Sequence, residues 1–159
     1  NCMTKSIDVG NKIPEFNLDS TLIKKCSTAN LSGNWCVLFI YPKDNTSGCT
    51  KQNEDFNKFF EKFVSLGIQI FGLSKDTIQS HEKFSKKLLL NFPLISDPEC
   101  TLIKGLSCWV EKSMYGKKYM GVERTTFLIN PELQIVFTWR KVKVKNHVAE
   151  VLAKINDFR

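Results

Sequence analysis

Residues 36–41 form a continuous apolar run that stops at Pro42, with no polar alternation. That pattern predicts a strand covered on both faces, and residues 68–73 read as a second buried strand. Between them Phe56, Phe59, Phe60 and Phe63 recur at helical spacing. They predict a helix over about 48–65, ended by Gly67, whose aromatic face packs in the core. Asp76 with Gln79 resembles a capping box. It would open a helix through about Leu88, with Ile78, Phe84 and Leu88 inward. A short strand is expected at 92–95. Asp97-Pro98 then reads as N-cap and first-turn proline of a short helix stopping near Gly105.

Nearer the ends the signals are shorter. Residues 1–15 are a polar lead-in, and 16–18 and 21–26 suggest a hairpin around Asp19-Ser20. Residues 108–121 read as an aromatic loop, and 125–129 as a strand followed by a turn at Asn130-Pro131-Glu132. Leu133, Ile135, Phe137 and Trp139 alternate with more polar neighbours, as in a half-buried strand. A closing helix over 145–158 would turn Val148, Leu152 and Ile155 inward. Lys141, Lys143 and Lys145 alternate with Val142 and Val144, which reads as a solvated edge strand with one cationic face. A weak phosphate-binding patch is the sharper alternative. Trp35, Trp109 and Trp139 read as core or crevice aromatics. The order of elements predicts an α/β protein, with one mixed sheet flanked by helices and an N-terminal hairpin. One domain over residues 1–159 is expected, with no repeat or linker.

Composition narrows the class without naming a function. The 159 residues are 42% hydrophobic and 25% charged, ordinary for a globular chain. No apolar run approaches the roughly 20 residues of a membrane helix, so no membrane association is expected. The first residues carry no apolar signal core, although a trimmed leader stays open. With 23 basic and 16 acidic residues the net charge is +7, a mild bias toward acidic partners. Six cysteines without a Cys-x-x-Cys pair point neither to a disulfide scaffold nor to a zinc site. A reducing intracellular setting, nucleus or cytoplasm, is expected, with no metal and no cofactor.

One cysteine stands apart. Cys49 falls where the polar turn 42–48 meets the start of the aromatic helix, and a helix N-terminus favours a thiolate. Thr46, three residues earlier, is placed for its hydroxyl to hydrogen-bond the sulfur or something bound to it. Pro42 would wall the site, and Arg124, just before a strand, is the candidate cation. Lowering a thiol pKa from about 8.5 to about 6 raises the thiolate fraction at pH 7 roughly thirtyfold. About tenfold is lost again through weaker nucleophilicity. Donors aimed at the transition state must therefore supply most of any fast chemistry, and Arg124 and Thr46 suit attack on an O–O bond.

The run Pro42-x-x-x-Thr46-x-x-Cys49 resembles the active-site signature of the peroxiredoxins. The wider text Phe39–Thr50, the block Met114–Ile129 and Ser96-Asp97-Pro98-Glu99 resemble the peroxiredoxin Q, or bacterioferritin comigratory protein, group. The likeness runs from about Val9 to Phe158. It implies a thioredoxin-like fold and reduction of hydrogen peroxide and organic hydroperoxides, with Cys49 oxidised to sulfenic acid. Cys49, Thr46, Arg124 and Pro42 match the family's site positions. The peroxide and a thioredoxin-like or other thiol reductant are the implied partners. Weak nucleic-acid association by a basic protein that protects DNA is the alternative reading. A monomer is expected, with a dimer as the alternative.

Two positions depart from the pattern. Many members carry proline where this chain has Ser47, which is expected to cap the helix instead. Many also carry a resolving cysteine five residues after the first, where this chain has Glu54. Others place it on the next helix, around 80–86 here, which has none. The best expectation is no internal resolver, with an external thiol attacking the sulfenic acid. Cys108, beside Trp109, is the least implausible substitute, ahead of Cys100, which reads as packing. Cys36 reads as an inert core residue. Cys2 and Cys26 read as bystanders, Cys26 with an exposed thiol. Neither His81, on a solvated helix face, nor His147 is expected to take part.

Overall fold

The computed structural model describes residues 6–158; Cys2 lies outside them. The N-terminal hairpin forms from β1 (Asn17–Ser20) and β2 (Lys24–Ser27), Leu18 facing Cys26, and leads into the single turn α1 (Thr28–Leu31). The two apolar runs become β3 (Trp35–Ile40) and β4 (Ile68–Ser74), joined by α2 (Ser47–Lys58) and α3 (Phe60–Ser65). Then follow α4 (Ile78–Leu88), β5 (Leu94–Ser96) and α5 (Thr101–Gly105). The chain continues through β6 (Trp109–Met114), β7 (Lys117–Val122), β8 (Thr125–Ile129) and β9 (Ile135–Trp139), and closes with α6 (His147–Ile155).

Seven strands form one mixed sheet in the order β2-β1-β5-β4-β3-β8-β9. The β3, β4 and β5 strands run parallel, and β8 returns antiparallel against β3. Both faces are covered, which is why β3 shows no polar alternation. Val37, Phe39 and Tyr41 pack with Phe56, Phe84, Val148 and Val151 of the helices α2, α4 and α6. Cys36, Leu38 and Ile40 face the opposite way, toward Ile103, Phe127 and the hairpin residue Cys26.

Several expectations are corrected. The aromatic helix is two helices, broken at Phe59 (φ −99°, ψ 11°). Asn57 there is pinned to the loop after α4, donating to Leu89 O at 3.0 Å and accepting from Asn91 N at 2.8 Å. Phe56 and Phe63 are buried, Phe59 and Phe60 half-buried. The N-cap of α4 is Thr77, whose Oγ1 accepts from Ser80 N at 3.2 Å; Asp76 is used elsewhere. Asp97 caps α5 from a distance, its carboxylate accepting from Thr101 N (3.1 Å) and Ile103 N (2.8 Å), so the helix begins at Thr101. Residues 109–122 are a two-stranded hairpin, not a loop. Its faces are largely in solvent, so no apolar alternation marks it in sequence. Residues 141–145 form no strand, although the lysines stay exposed and the valines half-buried.

Candidate active site

The polar turn after β3 ends at Thr46, the N-cap of α2, and its carbonyl accepts from Thr50 N at 2.9 Å. Cys49 is therefore in the first turn of the helix, among the unpaired N–H groups that favour negative charge. Ser47 is the first helical residue rather than the cap. Cys49 is only 1% exposed, and its carbonyl accepts from Asn53 Nδ2 at 2.9 Å.

Arg124 reaches the sulfur from the start of β8. Its Nη2 donates to Cys49 Sγ at 3.4 Å, and its Nη1 donates to Gln52 Oε1 at 2.6 Å. The backbone helps to hold it, since Arg124 O accepts from Val142 N at 2.9 Å. Gly48 makes room for it, because a Cβ there would stand 3.2 Å from Arg124 Nη2. Thr46 Oγ1 donates to Lys43 O at 2.8 Å rather than to the sulfur, leaving its lone pairs free to accept. Pro42 is half-buried in the same turn.

Several side chains near Cys49 were missed or misread in the sequence. Gln52, one turn beyond Cys49, is fully buried, and its Nε2 has no hydrogen-bond partner. Its helical spacing from Cys49 was the available signal. His81 is buried, not solvated, with Nδ1 2.8 Å from Asp44 Oδ2. Tyr41 O–H also donates to Asp44, at 2.7 Å. Burial first, then the Asp44 carboxylate, pushes the Tyr41 phenol well above its ordinary value. Asp44, Asp76 and His81 bring three potential metal-ligand atoms within 4.8 Å of one another, but these atoms already bond within the cluster. His147 is buried, its Nε2 2.8 Å from Thr126 Oγ1. Burial, then the Arg124 charge, pushes it down to about 4, so it stays neutral.

The other described cysteines are all buried. Cys26 is buried, not exposed; burial pushes its thiol and that of Cys36 up to about 12. Burial raises Cys108 to about 11, against the opposing pull of Thr125 and Arg140, and also raises Cys100. Glu54 sits on the exposed face of α2. The five described cysteines are free thiols.

Comparison with known proteins identifies the family. The family model described as AhpC/TSA family matches residues 9–138. The chain belongs to the AhpC/TSA family of peroxiredoxins. Peroxiredoxin Bcp of Bacillus subtilis is 41% identical over 153 residues, 96% of this chain and 98% of its own. Peroxiredoxin Bcp of Xanthomonas campestris is 45% identical over 124 residues, 78% of each chain. Among solved structures, a serine mutant of Xanthomonas campestris peroxiredoxin Q superposes with TM-score 0.86 at 40% identity, covering 91% of this chain and 92% of that one. A serine mutant of Xylella fastidiosa PrxQ gives TM-score 0.90 at 33% identity, covering 98% and 99%. The fold is thus the thioredoxin-like fold of the peroxiredoxins, and this peroxiredoxin is a thiol-dependent peroxidase. A peroxide and a thiol are its substrates, rather than nucleic acid its main partner. No helix of the described residues is long and apolar enough to cross a membrane.

Proposed function

We propose that Cys49 is the peroxidatic cysteine and that Arg124, Thr46 and Pro42 complete its site. The observation that carries the reading is the 3.4 Å approach of Arg124 Nη2 to a first-turn sulfur. The Cys49 thiolate attacks the terminal peroxide oxygen: an S–O bond forms as the O–O bond breaks, giving a sulfenic acid and an alkoxide or hydroxide that takes up a proton. Arg124 stabilises the developing negative charge. Thr46 Oγ1, with its hydrogen held by Lys43 O, accepts from the peroxide O–H. Pro42 shields the turn. An external thiol, thioredoxin-like or of the glutathione type, then forms a mixed disulfide with loss of water. A second thiol releases Cys49.

Stopped-flow mixing with hydrogen peroxide and with an alkyl hydroperoxide should oxidise Cys49 rapidly, and Cys49→Ser should abolish turnover. A reactivity no greater than that of a free thiol refutes the reading. Mass spectrometry after oxidation without added thiol should find sulfenic or sulfinic Cys49; a disulfide would overturn the absence of an internal resolver. The whole chain is read as one domain, acting as a monomer in nucleus or cytoplasm. The exposed Lys141, Lys143 and Lys145 support weak nucleic-acid association as a second property. Titration with DNA should show it to weaken with salt.

A further inference from the structure

The short turn that presents Cys49 is held at its midpoint by a buried polar cluster that none of the chemistry above uses. Asp44 lies between Pro42 and Thr46, and its side chain is 1% exposed. A carboxylate that deep costs several kcal/mol unless it is paired and hydrogen-bonded. Its Oδ1 accepts from the Tyr41 phenol at 2.7 Å, and its Oδ2 accepts from Ser80 Oγ and bonds His81 Nδ1, each at 2.8 Å. The backbone N–H of Asp44 donates to Asp76 Oδ2 at 2.9 Å. Asp76 is held in turn: its carboxylate accepts from Ser74 Oγ at 2.5 Å and its carbonyl from Ser96 Oγ at 2.6 Å.

Tyr41 is thus tied from the end of β3, Ser74 from β4, Ser80 and His81 from α4, and Ser96 from β5. His81 is the pivot. Its Nδ1 faces the Asp44 carboxylate and its Nε2 faces Ile95 O at 3.0 Å, so the ring bridges the turn and β5. Within the turn Thr46 Oγ1 also donates to Lys43 O, but Lys43, Asn45 and Thr46 are themselves exposed.

We propose that the Asp44–His81 pair is a positioning device for the peroxidase site. It clamps the 42–46 turn to α4 and β5, so that Pro42, Thr46 and the first turn of α2 meet the peroxide in a single geometry. His81 and Asp44 touch neither the sulfur nor the substrate; they act through the turn. Loosening the pair costs alignment of Thr46 and of the α2 N–H groups with the peroxide. It does not remove the thiol or Arg124. A Cys49 reaction that needs no such alignment, alkylation by neutral iodoacetamide, is left unchanged. This inference rests on Cys49 being the reacting thiol, and the alkylation arm, with Cys49→Ser as its control, checks that separately.

The experiment compares second-order rates of Cys49 oxidation by hydrogen peroxide and of its alkylation by iodoacetamide in the full chain. The expected result for His81→Leu is peroxide oxidation slower by about tenfold or more, the scale of a lost alignment. Its alkylation stays within about twofold. His81→Asn, whose amide can still donate to Asp44, recovers much of the loss. Ser80→Ala removes one donor, keeps the fold if His81→Leu does not, and slows oxidation about threefold. Leu88→Ala loosens the same helix away from the cluster and leaves the oxidation rate unchanged. The proposal is overturned if His81→Leu and Ser80→Ala oxidise at the parent rate. It is equally overturned if Leu88→Ala slows oxidation as much, or if alkylation changes in parallel with oxidation.

Discussion

Gln52→Leu separates catalysis from stability in one substitution. Gln52 Oε1 accepts from Arg124 Nη1 at 2.6 Å, a bond to a charged group that contributes about 1.5–3 kcal/mol. The same side chain buries Nε2 without a partner, which costs about 1–3 kcal/mol. Leucine of similar size removes both, and Arg124 is only half-buried, so solvent can take up the freed N–H. The opposing terms leave the net stability change near zero, within about 1 kcal/mol. The rate has no such offset. Releasing an arginine restores up to about 2 kcal/mol of rotamer freedom that Gln52 had removed. Regaining the productive rotamer in each encounter therefore costs roughly tenfold to thirtyfold in rate. Urea denaturation gives the stability and stopped-flow oxidation the rate. An unchanged rate would refute Gln52 as the holder of Arg124. A stability loss of about 1.5–3 kcal/mol or more would show that the orphaned Nε2 is satisfied and the opposing term absent.

Three further outcomes are expected. His147, ordinarily near 6.5, is pushed down to about 4 in the fold by burial and the Arg124 charge. Its contribution is complete above pH 6.5 and is lost as pH falls toward 4, by at most about 3 kcal/mol; urea melts across that window should show the slope, and His147→Gln should flatten it. Gly72→Ala would set a Cβ 2.7 Å from Leu94 Cδ2 and 3.0 Å from Phe39 Cζ, so urea unfolding should show a loss of about 1–3 kcal/mol. Cys108, buried with its thiol pushed up to about 11, should be replaceable by serine with peroxidase turnover under dithiothreitol within about twofold; loss of turnover would identify it as the resolver.

Much of the fold was legible because β3 is apolar on both faces and β4 is nearly so. The helices after them carry aromatic residues at helical spacing that pack on those faces. What the pattern misplaced has local causes. The 109–122 hairpin has little core side, so it left no period to read. Beside the break at Phe59, Asn57 bonds residues 89 and 91, a contact some 30 positions away that no local pattern shows. Asp76 looked like a helix cap because its spacing to Gln79 fits one, whereas its carboxylate is occupied by Ser74 and the backbone of Asp44.

By itself the order of residues singled out Cys49 as the candidate nucleophile, together with its local surroundings. A proline-bounded turn, a threonine and a cysteine at a helix start are local features, and local features survive in a one-dimensional pattern. It also carried the absence of cysteine at 54 and through 80–86. Only the tertiary structure decided what those groups meet. It brought Arg124 across 75 positions to the sulfur, gave its second N–H to Gln52, and took Thr46 Oγ1 to Lys43 O. It also turned His81 from an apparent surface residue into the buried partner of Asp44, 37 positions away. A histidine on a helix reads as polar in any periodicity count, and only a partner folded against it makes its burial affordable.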